Sequence, residues 1–203
     1  MENCIFSAHC TEDRCDAACP IYAETSYLLE RNGISINNPV FHTTPKKIVD
    51  TLNTLDTYVG KLRVVVSHNT VSTADLITYC AICKNWRGSQ LHCTVYNLKF
   101  NRYWKLFTQT WSKSDTDTEE LNYMKIWSAG AKVLVISGID FINFGDYECA
   151  ELLSIIQSRH DVEYTTILVS PPVSELVGKG VRFEQLKKLF PKSKDDNDGG
   201  NKK

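Results

Sequence analysis

Apolar and polar positions alternate between two rhythms along this chain. LRVVVS (62–67), LHCTVYNL (91–98), AKVLVISGI (131–139) and YTTILVSP (164–171) are short, nearly continuous apolar runs, which is how strands buried on both faces read. Between them lie longer stretches whose apolar residues recur every three to four positions: VSTADLITYCAICKNW (71–86), the segment through LNYMKIWSAG, and DYECAELLSIIQSRH (146–160). Strands alternating with helices of this length predict an α/β fold: a mostly parallel sheet covered by helices on both faces. ELVGKGVRFEQLKKLF predicts a final helix or two short ones.

The rhythm differs before residue 60. IYAETSYLLERNG (21–33) has Ile21, Tyr22, Tyr27, Leu28 and Leu29 at roughly helical spacing and ends on Asn32-Gly33, a helix C-cap. SINNPVFHTTP is a polar connector. In PKKIVDTLNTLDTYVG, Ile48, Val49, Leu52, Leu55 and Val59 share one helical face. The expected organisation is a small N-terminal module (1–33), an α/β domain (45–190) and a polar, disordered tail (191–203).

The N-terminal module changes the picture chemically. Half of the eight cysteines, Cys4, Cys10, Cys15 and Cys19, fall within sixteen residues as C-x5-C-x4-C-x3-C-P. No run long and apolar enough for a membrane span is present, and Glu2 with the cysteines replaces the basic and apolar regions of a secretory signal. A cytoplasmic protein without a membrane partner is therefore expected, and clustered thiols there more often bind metal than form disulfides. Four thiolates could wrap a 4Fe-4S iron–sulfur cluster or a zinc ion that staples a segment too short for its own core. The C-x3-C-P ending favours the cluster, and His9 could replace one thiolate at zinc. Buried thiols or two disulfides are the bland alternative. Cys80 and Cys83 in Y-C-A-I-C, with Cys93 and Cys149, read as small apolar core residues.

The net charge of −1 excludes a strongly basic nucleic-acid binder but not a local basic face. LKFNRYWKLFTQTW (98–111) interleaves Lys99, Arg102 and Lys105 with Phe100, Tyr103, Trp104, Phe107 and Trp111. Cations that follow phosphates and rings that stack on bases suit single-stranded nucleic acid. The same aromatics at helical spacing also suit a buried stripe. Arg182, Lys187 and Lys188 add to any basic face. Asp146, Glu148 and Glu151 gather at a helix N-terminus, where capping accounts for them.

After the first strand, VVVSHNTVSTADL occupies the place of G-x4-G-K-[ST] in a phosphate loop. Ser67 and Ser72 stand at the glycine positions, Thr73 at the lysine position and Ala74 at the magnesium-binding hydroxyl. VLVIS ends in Ser137 where a nucleotide hydrolase has an acidic residue, and the nearest carboxylate is Asp140, three residues on. Every diagnostic residue is absent, which argues against ATP as a cofactor.

The layout from strand and helix through VLVISGIDFINFGDYECAELLSIIQSR to TTILVSP resembles AAA+ and RecA-like domains. It also resembles the ATPase domain of bacterial and phage helicase loaders of the DnaC and DnaI type, over roughly residues 45–190. The resemblance implies a degenerate P-loop domain that hydrolyses no nucleotide. Its expected role is as an accessory of DNA replication, in a host or a mobile element, binding a replicative helicase or another replication protein and single-stranded DNA. Two other classes fit the residues: an iron–sulfur or zinc enzyme acting on nucleic acid or in redox chemistry, and an α/β regulatory module without nucleic acid.

Overall fold

The computed structural model describes residues 20–35, 60–87, 95–110 and 115–191. The cysteine cluster, the 45–59 helix expectation, Cys93, Trp111 and the tail beyond 191 lie outside these described residues. The elements run α1 (Pro20–Arg31), β1 (Leu62–Val66), α2 (Thr70–Arg87), β2 (Val95–Lys99), α3 (Phe100–Gln109), α4 (Asp115–Gly130), β3 (Val133–Ser137), α5 (Asp146–Asp161), β4 (Thr165–Ser170) and α6 (Val181–Lys187). Short 3-10 turns at Ile139–Phe141 and Val173–Glu175 follow β3 and β4.

The four strands form one parallel sheet in the order β1-β4-β3-β2. Because strand side chains alternate between faces, consecutive residues serve two cores. Val65, Val133, Val135, Ile167 and Val169 meet Ala74 and Ile77 of α2 on one face. Leu62, Val64, Tyr96, Leu98, Leu134, Ile136 and Leu168 meet Leu121 and Met124 of α4 and Leu152 and Ile156 of α5 on the other. The expected α/β class and two-sided cover are therefore present. Cys80 and Cys149 are fully buried, as small core residues are.

Two further features position the surfaces discussed below. Helix α1 ends in a Schellman motif: Ile34 N–H donates to Leu29 O and Gly33 N–H to Glu30 O, with Gly33 at φ +68°. Leu29 and Ile34 then pack with Ala81, Ile82 and Val95, which docks α1 against α2 and β2. Past the cap, Asn32 donates from Nδ2 to Val95 O at 3.4 Å and accepts from Asn97 N–H at 2.7 Å, pairing with the outer rim of β2 as a neighbouring strand would.

At the amino end of β4, Arg159 is 1% exposed. Its guanidinium donates to Thr166 Oγ1 (2.9 Å), Ser128 O (2.6 Å) and Thr165 O (2.7 Å), tying α5 to α4 and β4.

Candidate functional site: the carboxyl edge of the sheet

Strand β1 leads into α2 on one face, whereas neighbouring β4 leads on to α6 on the other, so the chain diverges at the carboxyl ends of β1 and β4. In open parallel sheets such a divergence opens the crevice where ligands bind. The β1–α2 junction stands at that place.

The junction is short. Helix α2 begins at Thr70, so only residues 67–69 lie between strand and helix. Asn69 caps the helix: its Oδ1 accepts from Ser72 N–H at 3.1 Å and its carbonyl from Thr73 N–H at 3.0 Å. Ser67 Oγ lies 2.7 Å from Thr73 Oγ1 and accepts from Asn69 N–H at 3.2 Å. A phosphate loop holds its amides open toward an anion. Here Asn69, Ser72 and Thr73 spend theirs on the junction itself, and Ala74 is wholly buried.

Across the crevice, Gly138 at φ +76° turns the chain after β3. The turn buries Ile139 and sets Asp140 over the start of α2, where its Oδ2 accepts from Thr70 Oγ1 at 2.9 Å. The positive φ at Gly138 strains any other residue, and an added Cβ, 2.6 Å from Asn101 Oδ1, would also displace the Asn101 side chain. His68 Nδ1 faces Glu175 Oε1 at 3.2 Å, joining the loops that leave β1 and β4. Ser137 points elsewhere. It is 2% exposed and donates to Asn97 Oδ1 at 3.2 Å, while Asn97 Nδ2 donates to Asp75 Oδ1 at 3.3 Å.

Of the five junction residues expected from the sequence, the structure thus joins Ser67 to Thr73, caps Ser72, brings Asp140 to the helix start and turns Ser137 toward β2. Thr70, Asn97 and Glu175 complete the arrangement without any local signal in the sequence, and His68, which stands beside the helix N-terminus in the sequence, joins them. Asn69 had a signal, as a capping residue ahead of an apolar-periodic run.

The aromatic, basic stretch forms the end of β2 and all of α3. Phe100, Tyr103 and Leu106 are buried, and Phe100 stacks between Tyr103 and Phe144. The Tyr103 hydroxyl donates to Glu151, and burial together with that bond raises the phenol's pKa. Tyr103 is therefore a core residue and presents no ring to a base, because its face is covered by neighbouring side chains. Trp104 is half-buried against Phe100 and Phe107. Lys105 is exposed, and Arg102 pairs with Glu120 at 2.7 Å. Of the acidic trio, Glu148 accepts from Gly145 N–H at 3.0 Å and so caps α5.

Among the described residues no group of three or more His, Cys, Asp or Glu is placed to hold a metal ion, and no helix is long and apolar enough to cross a membrane. Set against protein-family models, curated proteins and solved structures, the chain matches none of them significantly.

Proposed function

We propose that the chain is a non-hydrolysing accessory protein built on a P-loop-like α/β domain, similar in plan to a helicase loader. It would hold a replication protein, with a replicative helicase as the expected partner, and a single strand of nucleic acid. The supporting observation is the β1–α2 junction. The parallel sheet, with β4 between β1 and β3, is compatible with a P-loop-like domain. Yet the place of the phosphate loop is closed by Ser67, Asn69 and Thr73 bonding to one another. The carboxylates beside it, Asp140 and Glu175, would repel a triphosphate. A fold whose catalytic groups are gone can keep working through its surfaces. Cys4, Cys10, Cys15 and Cys19 would carry an iron–sulfur cluster or zinc in the segment that precedes α1.

Phosphate release from ATP and magnesium tests this reading. The expected result is release at the level of a blank for the parent protein and for Asp140→Asn alike. Turnover by clean parent protein that disappears in Asp140→Asn would overturn it. Anisotropy of a labelled single-stranded oligonucleotide, falling steeply with added salt, is expected from the nucleic-acid half of the reading.

A further inference from the structure

Between the end of α1, the rim of β2 and the start of α4 lies a cleft of about 230 Å³. Its walls carry three cations, Arg31, Lys99 and Arg102, against two carboxylates, Glu30 and Glu120. In a chain of net charge −1 this is a local cationic excess. The cations are held in three ways. Arg31 lies 3.1 Å from the centre of the Trp127 ring and donates from Nε to Tyr123 Oη at 3.0 Å. Arg102 is exposed and oriented by Glu120. Lys99, half-buried at the end of β2, pairs with no carboxylate among the described residues, and its Nζ lies 3.5 Å from where a Cβ on Gly33 would be. Gly33, whose positive φ permits the α1 cap, thus lies beside the ammonium. In the cleft wall Tyr123 is 43% exposed, and on the same face of α1, one turn before Arg31, Tyr27 is 60% exposed.

We propose that this cleft takes a nucleotide unit: a phosphate against Lys99 and Arg102, with its base on the exposed ring of Tyr123. The unit belongs to a single strand of nucleic acid, and to that extent the proposal rests on the function just given. It moves the contact away from the aromatic stripe of α3, which the core uses, to rings on α1 and α4 that the core leaves outside. Lys99 supplies a cation that no carboxylate among the described residues pairs with. Glu120 aims Arg102 but also weakens its pull on an anion, since the two charges partly cancel.

The test uses the full chain, a fluorescein-labelled 15-mer of thymidine, and free thymidine monophosphate. In low salt, Lys99→Gln is expected to weaken the 15-mer about tenfold and to reduce the slope of log affinity against log salt by about 0.7, as loss of one phosphate contact to a single strand does. Tyr123→Leu should weaken it about tenfold through lost stacking. Lys99→Arg should keep the affinity, Lys61→Gln should leave it unchanged, and Glu120→Gln should strengthen binding about threefold by removing a repelling charge. That last gain would not come from a residue with a merely structural role. Circular dichroism melting checks that each variant folds. Binding lost in Lys105→Gln but kept in Lys99→Gln would overturn the cleft and leave the nucleic-acid reading standing. Monophosphate binding that needs Lys99, without 15-mer binding, would keep the cleft and overturn the strand. Binding of neither probe would overturn both.

Discussion

Arg159 illustrates what a single side chain can hold together. Burial pushes its pKa down from the usual 12.5 to about 10, yet the guanidinium stays charged at neutral pH. Its partners are two carbonyls and a hydroxyl on two elements, α4 and β4, so removing it strands buried acceptors as well as leaving a void. Arg159→Met should cost about 2–4 kcal/mol in urea unfolding, and Arg159→Lys nearly as much, because an ammonium cannot span the fork. Nothing in SIIQSRH distinguishes this arginine from a surface residue at a helix end. Cys80 and Cys149 were legible, since their neighbours Leu76, Ile77, Ala81 and Leu152 mark an apolar face.

Those thiols make a second prediction at the same scale. Burial pushes Cys80 from 9.0 to about 12 and Cys149 to about 11, and Tyr96 from 10.0 to about 12. Raised values mean that the folded state keeps its protons where the unfolded state loses them. The resulting stability is complete below about pH 9 and disappears as pH climbs toward about 12. The urea midpoint should therefore fall between pH 9 and 11, less steeply in Cys80→Ala/Cys149→Ala. Iodoacetamide at pH 8 should leave both cysteines unmodified in peptide maps until denaturant is added.

Among the elements, α1 shows how far local pattern reaches. Its end was readable from Asn32-Gly33, because a left-handed cap leaves a signature in adjacent residues. Its docking was not, because Leu29 meets Ile82 and Val95, and Asn32 meets Asn97, across more than fifty residues of chain. Leu29→Ala should destabilise the main unfolding transition by about 2–4 kcal/mol, with α1 amides exchanging about as slowly as those of β2. An α1 that exchanged quickly while the sheet stayed protected would show instead that the helix is held apart from the sheet. The stretch 98–111 posed the opposite difficulty. Spacing located a face, but aromatic rings are at home both in a core and on a base, and only packing shows that Tyr103 is inside.

Over the whole molecule, the sequence disclosed the class but not the arrangement. Four apolar runs separated by helices required a parallel sheet with two covered faces, whereas the order β1-β4-β3-β2 depends on which runs pair, and similar connections fit several orders. The pattern of absent phosphate-loop residues was likewise readable, but not the hydroxyls and amide that fill the gap. The two faces of the sheet hold cores that join its four strands to α2 on one side and to α4, α5 and α6 on the other. A Cys4/Cys10/Cys15/Cys19→Ser variant should therefore lose any bound metal while its cooperative melt shifts little. Anaerobic purification with metal analysis is expected to give about four irons or about one zinc per parent chain, and none in the variant.

The amide of Asn32 has a consequence for how copies of this protein could join. By occupying Val95 O and Asn97 N–H, it denies an incoming strand the central docking groups of one sheet border. Among the described residues, extension of the ladder is then left to the β1 border, and a pair of molecules meeting there would turn only Asn32-capped borders outward. Strand exchange between copies would stop at two, where an uncapped sheet could polymerise into a fibre.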